Sequence, residues 1–359
     1  MTTNPSLSNS SPAAECARVD AALHQAAVLA GQGDYPAAIN RLAAANRRTP
    51  DARLERQMLN YRIAGVRHLD RVEVRWDSTH GDEFAGCDAL PEIHRDRLSA
   101  GALRDGILGK GGLVVRGLVS PQQVAKARDC VRQALVARKA YAEGRQTVDE
   151  RRWFDRPEEV AGGPVQFDRL GGEQFTETGS VWAVDSPASA AYLLVLYRQI
   201  GLPAMLEEYF GEPATLSVRK WVLRCVPPNN GGQSGWHQDG QFMGAGIRTV
   251  NLWIALTDCG EGADAPGMDI VADNTREIYP TGTHGAPFEW TVGQGLVDEI
   301  GRRHPIVRPH FRAGDAIFFD HYNLHRTGYG TADLRPRYAV EAWFFAASRA
   351  PESQQPLLF

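Results

Sequence analysis

The sequence lacks the long apolar runs of a membrane protein and the positive charge of a nucleic-acid-binding protein. A helix that spans a bilayer needs about 20 predominantly apolar residues, and no stretch of that kind is present. The formal net charge of -4 gives no electrostatic reason to expect binding to nucleic acid or to an anionic membrane. Neither class of partner is therefore predicted.

Cysteine is also scarce, and its spacing is uninformative. No Cys-x-x-Cys pair occurs, so the sequence predicts neither a zinc cluster nor a disulfide framework. The N-terminus has no basic start followed by an apolar centre, and it is therefore not predicted to be a secretory signal. These observations together predict a protein of the reducing cytoplasm. The cysteines are Cys16, Cys87, Cys130, Cys225 and Cys259.

Changes in composition divide the chain into four predicted segments. Residues 1–15 are predicted to be a disordered tail, and residues 16–66 a helical hairpin that resembles half of a tetratricopeptide repeat. Residues 67–96 are predicted to be a linker or an ordered crossing segment, and residues 97–350 the main domain. Because only one repeat is visible, a hairpin packed on the main domain is favoured over a module that docks a partner.

The main domain is predicted to be mainly β with flanking helices. Short strands separated by Gly/Pro turns follow Pro213, and capped helices precede them. This order favours a jelly roll, that is, a double-stranded β-helix of the cupin-like type, with helices packed outside it. The polar, Gly-rich stretch 142–180 is a candidate flap, and its Trp153 and Phe154 are candidate substrate contacts. Trp182 and Phe242 are further candidates, with burial in the core as the alternative for each.

A short motif in the β region contains two candidate metal ligands. Trp236 to Gly240 contains His237 and Asp239, which would share one face of a strand because they are two residues apart. Two such ligands and a second histidine form the facial triad of non-haem Fe(II) oxygenases. The alternative is a solvated loop or a local hydrogen bond, because His-x-Asp often occurs by chance.

The favoured second histidine is His325, which heads a predicted strand after the turn at Gly314-Asp315. It lies 88 positions after His237, which leaves room for the strands that a sandwich needs. His321 is the rival, but it falls nearer the turn, where a surface or substrate-facing role is expected. Downstream, Arg335-Pro336-Arg337 precedes an apolar strand. A guanidinium deep in a sheet requires an anion, ideally one that it binds with two hydrogen bonds, whereas an arginine at an exposed strand start does not.

These pieces together resemble the phytanoyl-CoA dioxygenase family of Fe(II)/2-oxoglutarate-dependent oxygenases. The resemblance rests on His237-x-Asp239, on Gly314-Asp315 leading to His325-x-Thr327, and on the arginine that follows. It covers roughly residues 97–347. The sequence departs from the family pattern after the central strand, where residues 271–275 replace a frequent Pro-Gly-Ser-His, so the loop there gives no substrate inference.

The resemblance implies that His237, Asp239 and His325 bind Fe(II). It implies further that Thr327 and Arg337 hold the distal carboxylate of the cosubstrate 2-oxoglutarate, with Arg335 in reserve. Trp253 is a candidate for lining the cosubstrate pocket, with plain core packing as the alternative.

By the same resemblance, oxygen would take the last metal position, and a small molecule would be hydroxylated, desaturated or cyclised with release of succinate and CO2. The halogenating relatives have a small residue in place of Asp239, so the intact carboxylate favours these reactions.

Two other functions stay open at this point. A cupin-like metalloenzyme would use no 2-oxoglutarate, and a non-catalytic binding protein would work through the helical hairpin. The substrate and the oligomeric state are not predicted. Arg219, Lys220 and Arg224 are candidates for binding an anionic group, although the solvated side of a strand is the favoured interpretation for them.

Overall fold

The computed structural model describes residues 11–69, 71–72, 74–76, 78–156, 179–228, 235–244, 246–273, 275–330 and 333–359. The helices in these ranges are α1 (Pro12–Gly31), α2 (Tyr35–Arg48), α3 (Ala52–Gly65), α4 (Ala100–Lys110), α5 (Pro121–Ala142), α6 (Pro187–Gln199), α7 (Leu202–Phe210), α8 (Gly240–Met243) and α9 (Gln294–Gly301). The strands are β1 (Glu92–His94), β2 (Leu113–Arg116), β3 (Ser180–Trp182), β4 (Ala214–Val226), β5 (Thr249–Ala255), β6 (Gly267–Val271), β7 (Ile306–Val307), β8 (Ala316–Phe319), β9 (His325–Gly328), β10 (Arg337–Ala346) and β11 (Pro356–Leu358).

The N-terminal segment contains the helices α1, α2 and α3, where the sequence predicted a two-helix hairpin. Asp34 and Asp51 cap α2 and α3 by accepting a hydrogen bond from a backbone N–H of the first turn. Because α1 begins at Pro12, residues 12–15 of the predicted tail are helical. The segment lies against the main domain, since Arg62 of α3 donates from Nη1 to the Leu358 carbonyl of β11 at 2.8 Å.

The main sheet has the strand order β1-β2-β8-β5-β10-β4-β11, and β3 pairs with β4 beside this path. Its edge strand β1 pairs in parallel with β2 through Glu92 and Val114. Part of the predicted linker 67–96 is therefore a strand of the sheet. The long antiparallel pair of β4 and β10 runs through the sheet and carries residues that face the functional site.

A smaller sheet with the order β7-β6-β9 completes the sandwich. Trp253 of β5 and Trp343 of β10 point inward from the main sheet and share a buried cluster with Met268 of β6. The residues that alternate with them, such as Leu252 and Phe344, point outward to a second cluster under the helices. This period-two alternation is what two packed sheets require, and it confirms the predicted jelly roll with outer helices.

Helices α4 to α7 cover the outer face of the main sheet. Tyr197 of α6 accepts a hydrogen bond from the indole Nε1 of Trp221 at 3.0 Å, and both side chains are fully buried. Cys130 of α5 is buried there, as its place on the apolar face of that helix predicts. In the described ranges no single helix is long and apolar enough to cross a membrane; α6 and α7 meet those criteria only as a pair bent by 70°.

Candidate metal centre and cosubstrate site

The structure brings His237, Asp239 and His325 together, with candidate ligand atoms within 4.8 Å of one another. His237 and His325 form an isolated antiparallel bridge in which each backbone N–H donates to the other carbonyl at 3.0 Å. Asp239 is the N-cap of the helical turn α8, so the prediction that it shares a regular strand with His237 is wrong. The two side chains converge because the chain turns at this point.

The local hydrogen bonds orient both imidazoles. Nδ1 of His237 lies 3.0 Å from the Gly235 carbonyl, and Nδ1 of His325 lies 3.1 Å from the Asn323 carbonyl. A carbonyl can only accept, so each Nδ1 carries a proton, and Nε2 is the nitrogen whose lone pair is available to a metal when the ring is neutral. Burial, with His325 nearby, lowers the pKa of His237 to about 4, which keeps this ring neutral near pH 7.

The carboxylate of Asp239 is buried and paired. Burial alone would raise its pKa, but Lys220 and the two histidines outweigh burial and hold the pKa below its usual value. Lys220 Nζ lies 2.5 Å from Oδ1, while Oδ2 lies 3.7 Å from Nε2 of His325. One carboxylate oxygen is thus held by an ammonium group and the other faces the imidazoles.

Lys220 reaches Asp239 because β4 is irregular at this point. Trp221 pairs with Ala342 and Leu216 pairs with Phe344, so residues 217–220 bulge opposite a single residue of β10. The backbone N–H of Lys220 donates to Ser217 Oγ at 3.0 Å, which closes the bulge. The favoured interpretation of Lys220 as the solvated side of a strand is therefore wrong: its side chain lines the same cavity as the triad.

Arg337 lies in this cavity, together with Thr327 and Trp253. Arg337 is 2% exposed, and its guanidinium donates from Nη1 to the Gly267 carbonyl and lies 5.4 Å from the centroid of the Trp253 ring. Its Nε is buried and has no hydrogen-bond partner among the described residues. Burial lowers the pKa of Arg337, as expected for a cation that has little solvent around it.

Arg335 is placed differently. It is exposed and donates from Nη2 to Asp264 Oδ1 at 2.6 Å, outside the cavity. The strand explains the contrast, because Arg337 is the first residue of β10 and points inward with Ala339 and Glu341. Arg224 also lines the cavity, and its Nε pairs with Glu341 Oε2 at 2.9 Å.

His321 does not have the surface or substrate-facing position that the sequence predicted. It is 2% exposed, and its Nδ1 lies 2.9 Å from Thr249 Oγ1. Burial lowers its pKa to about 3. Its carbonyl accepts from the Gly240 N–H at 2.9 Å, and a Cβ added at Gly240 would lie 2.8 Å from that oxygen. This close contact positions the turn that carries Asp239.

The candidate substrate contacts separate into two groups. Trp153 lies beneath Lys126, and Phe154 is 3% exposed and packs on Tyr141, so neither lines the cavity of the triad. Most of the predicted flap, residues 157–178, lies outside the described residues. Phe242, by contrast, has its ring centroid 6.5 Å from that of His237. Trp182 belongs to β3 and pairs with Val222.

The donor set fits an iron ion and a dicarboxylate. Two imidazoles and one carboxylate on one face of a metal position are the protein ligands of non-haem Fe(II) in its facial triad. Arg337 adds a buried guanidinium with an unsatisfied N–H, which an anion in the cavity would complete. The arrangement suits a metal that also binds a carboxylate-bearing cosubstrate.

A family model matches more than half of the chain. The family model for phytanoyl-CoA dioxygenase matches residues 108–336. The search of curated proteins found no match. Among solved structures, EctD from S. alaskensis with 2-oxoglutarate and 5-hydroxyectoine is 16% identical, with 78% of this chain and 81% of that chain covered and a TM-score of 0.47. The non-heme alpha ketoglutarate dependent carbocyclase SnoK from nogalamycin biosynthesis is 19% identical, with 71% of this chain and 86% of that chain covered and a TM-score of 0.44. The family assignment rests on the family model.

Proposed function

Because this chain belongs to the phytanoyl-CoA dioxygenase family, we propose that it hydroxylates, desaturates or cyclises a small-molecule metabolite, with release of succinate and CO2. It is an Fe(II)/2-oxoglutarate-dependent enzyme, and its cofactors are Fe(II), 2-oxoglutarate and O2. The cytoplasm stays the proposed location, because the cysteines are free.

The proposed iron ligands are Nε2 of His237, Nε2 of His325 and one carboxylate oxygen of Asp239. Bound iron supplies the oxidising chemistry, in which 2-oxoglutarate loses CO2 as O2 is reduced. The chain's own contribution is to fix these ligands before iron binds. The backbone bridge between His237 and His325 and the two Nδ1 contacts with carbonyls support this role.

Arg337 is the proposed anchor for the distal carboxylate of 2-oxoglutarate, with Thr327 beside it and Trp253 as a wall of the pocket. The observation that carries the proposal is one cavity that holds the triad and a buried guanidinium with an unpartnered N–H. This guanidinium also argues against the cupin-like alternative, in which Arg337 would have no anion to bind. Arg335 is no longer a reserve candidate, because it is exposed and paired with Asp264.

Lys220 has a proposed positioning role. Its ammonium group holds Oδ1 of Asp239, which leaves Oδ2 to face the metal position. The carboxylate thereby stays ionised and in one orientation. An intact carboxylate at this position supports hydroxylation, desaturation or cyclisation over halogenation, which needs the position for a halide.

Succinate formation tests the proposal. The purified protein is incubated with Fe(II), 2-oxoglutarate, air and ascorbate, which supplies the two electrons that the substrate would otherwise give, and succinate is measured with and without each component. We expect succinate to form in the wild type and to fall to background in Asp239→Ala. Succinate formation that persists in Asp239→Ala would contradict the proposed ligand set, and its absence from the wild type, with an intact fold, would favour the cupin-like alternative.

A further inference from the structure

Three aromatic side chains beside the metal centre are exposed to solvent. Phe242, Phe288 and Trp290, which we call the aromatic platform, are 43%, 49% and 44% exposed. Their rings contact one another: Trp290 lies 6.0 Å from Phe242 and is stacked on Phe288 at 5.6 Å with only 5° between the planes. Clustered exposure of large apolar side chains is typical of a binding surface rather than of ordinary protein surface.

The platform begins at the metal ligands. The Trp290 and Phe242 rings lie 5.9 Å and 6.5 Å from the His237 ring. Lys220 Nζ lies 5.4 Å from the centroid of the Phe242 ring while it pairs with Asp239. Lys220 and His237 both line the cavity that holds the triad, and both contact the Phe242 ring of the platform. A molecule that lies on the platform is therefore next to the reactive position.

The backbone beneath the platform is fixed. Thr291 Oγ1 accepts from the Phe288 N–H at 3.2 Å and donates to the Phe288 carbonyl at 2.8 Å. Val292 donates its N–H to the Trp236 carbonyl at 2.8 Å, which ties Trp290 to the residue before His237. Rings that are exposed on such a scaffold are held ready for a ligand, so binding costs little ordering of the protein.

We propose that the aromatic platform binds the substrate, and that the substrate carries a flat, apolar ring face. This inference rests on the proposed function, because it names the substrate class for the same metal centre. Phe288 and Trp290 are stacked with nearly parallel planes, and a planar ligand can extend this stack or contact its edge in the geometries that aromatic pairs favour. The surface is open, so a flexible alkyl chain would touch it on one side only and would lose rotational freedom for that contact.

Binding of two matched probes to the metal-free full-length protein tests the proposal. 2-Naphthol and 1-decanol each have ten carbons and one hydroxyl group, but only the first is planar. Calorimetric titration measures both affinities in the wild type, in Trp290→Leu and in Trp290→Phe. Val136→Ala is the control, because Val136 is an apolar side chain of α5 that is 58% exposed away from the site.

We expect the wild type to bind 2-naphthol more tightly than 1-decanol. Trp290→Leu should weaken the 2-naphthol affinity by about two- to tenfold, the range of one aromatic contact. Trp290→Phe should retain most of the affinity, and Val136→Ala all of it. Equal binding of the two probes, or an unchanged 2-naphthol affinity in Trp290→Leu, would overturn the proposal. Because the protein is free of metal, the result does not depend on iron: naphthol binding through Trp290 without succinate formation would support the platform and contradict the proposed function.

Discussion

Arg337 provides the sharpest test of the cosubstrate pocket. If its guanidinium binds the distal carboxylate of 2-oxoglutarate with two charge-assisted hydrogen bonds, Arg337→Lys keeps the charge but loses the planar pair of donors. One such hydrogen bond contributes about 1.5–3 kcal/mol, so the dissociation constant of 2-oxoglutarate should rise by about tenfold to a hundredfold. The wild-type pocket already holds this side chain in place through the Gly267 carbonyl and the Trp253 ring.

The assay is an anaerobic titration of the Fe(II)-loaded protein with 2-oxoglutarate, followed by the visible charge-transfer band of the chelate. Arg335→Lys is the matched control, since Arg335 is exposed and paired with Asp264; its dissociation constant should stay within about twofold of the wild type. The saturated band should keep its position in Arg337→Lys, because the metal ligands are untouched. An unchanged affinity in Arg337→Lys, or a large loss in Arg335→Lys, would refute the assignment of the anchor.

Three further predictions concern charge and packing. Lys220→Met should lower the free energy of unfolding of the metal-free protein by about 1–3 kcal/mol, because it leaves the buried Asp239 carboxylate unpaired. Urea denaturation measures this loss. Added Fe(II) should restore more stability to the variant than to the wild type. Burial raises the pKa of Asp320 to about 6, so its stabilising protonated form is lost as pH rises. Between about pH 4 and pH 6 this residue should remove about 3 kcal/mol of stability in a pH series of denaturation curves, a fall that Asp320→Asn lacks. Leu54→Ala, at a fully buried position of α3, should cost about 2–5 kcal/mol and leave the chelate band intact.

Each of these has a result that contradicts it. Equal stabilisation of wild type and Lys220→Met by Fe(II) would show that Lys220 and the metal do not share Asp239. Parallel pH profiles for wild type and Asp320→Asn would place the pKa of Asp320 near that of the unfolded chain. Loss of the band in a folded Leu54→Ala protein would make the N-terminal helices part of the metal centre rather than packing around it.

Much of the fold follows from local pattern. The strands at Leu113–Arg116 and Ala316–Phe319 coincide with short apolar runs after Gly-containing turns, where periodicity and turn chemistry agree. Ser120 is the N-cap of α5 and forms a capping box with Gln123, a pair of residue types whose spacing is visible in the sequence. The third N-terminal helix, Ala52–Gly65, lies inside the predicted hairpin segment 16–66, because a helical pattern shows that a segment is helical but does not fix where one short helix ends and the next begins.

The positions of several site residues could not be predicted from their spacing in the sequence. Residue alternation puts Arg335 and Arg337 on one face, so spacing alone cannot separate them; the start of β10 does so, because only Arg337 is inside the strand. Lys220 was assigned to a solvated strand face, since the bulge at residues 217–220 shifts the alternation and leaves no signal in the residue pattern. Phe288 and Trp290 lie in a long loop, and the contact of Trp290 with His237 is visible only in three dimensions.

The central claim is that His237, Asp239 and His325 bind an iron ion that also binds 2-oxoglutarate. The most direct measurement is an anaerobic titration of the metal-free protein with Fe(II), with and without 2-oxoglutarate, in the wild type and in His237→Ala. We predict a charge-transfer band that needs both components, appears in the wild type and is absent from a folded His237→Ala protein. A wild type that binds no Fe(II), or a band of equal strength in His237→Ala, would contradict the claim.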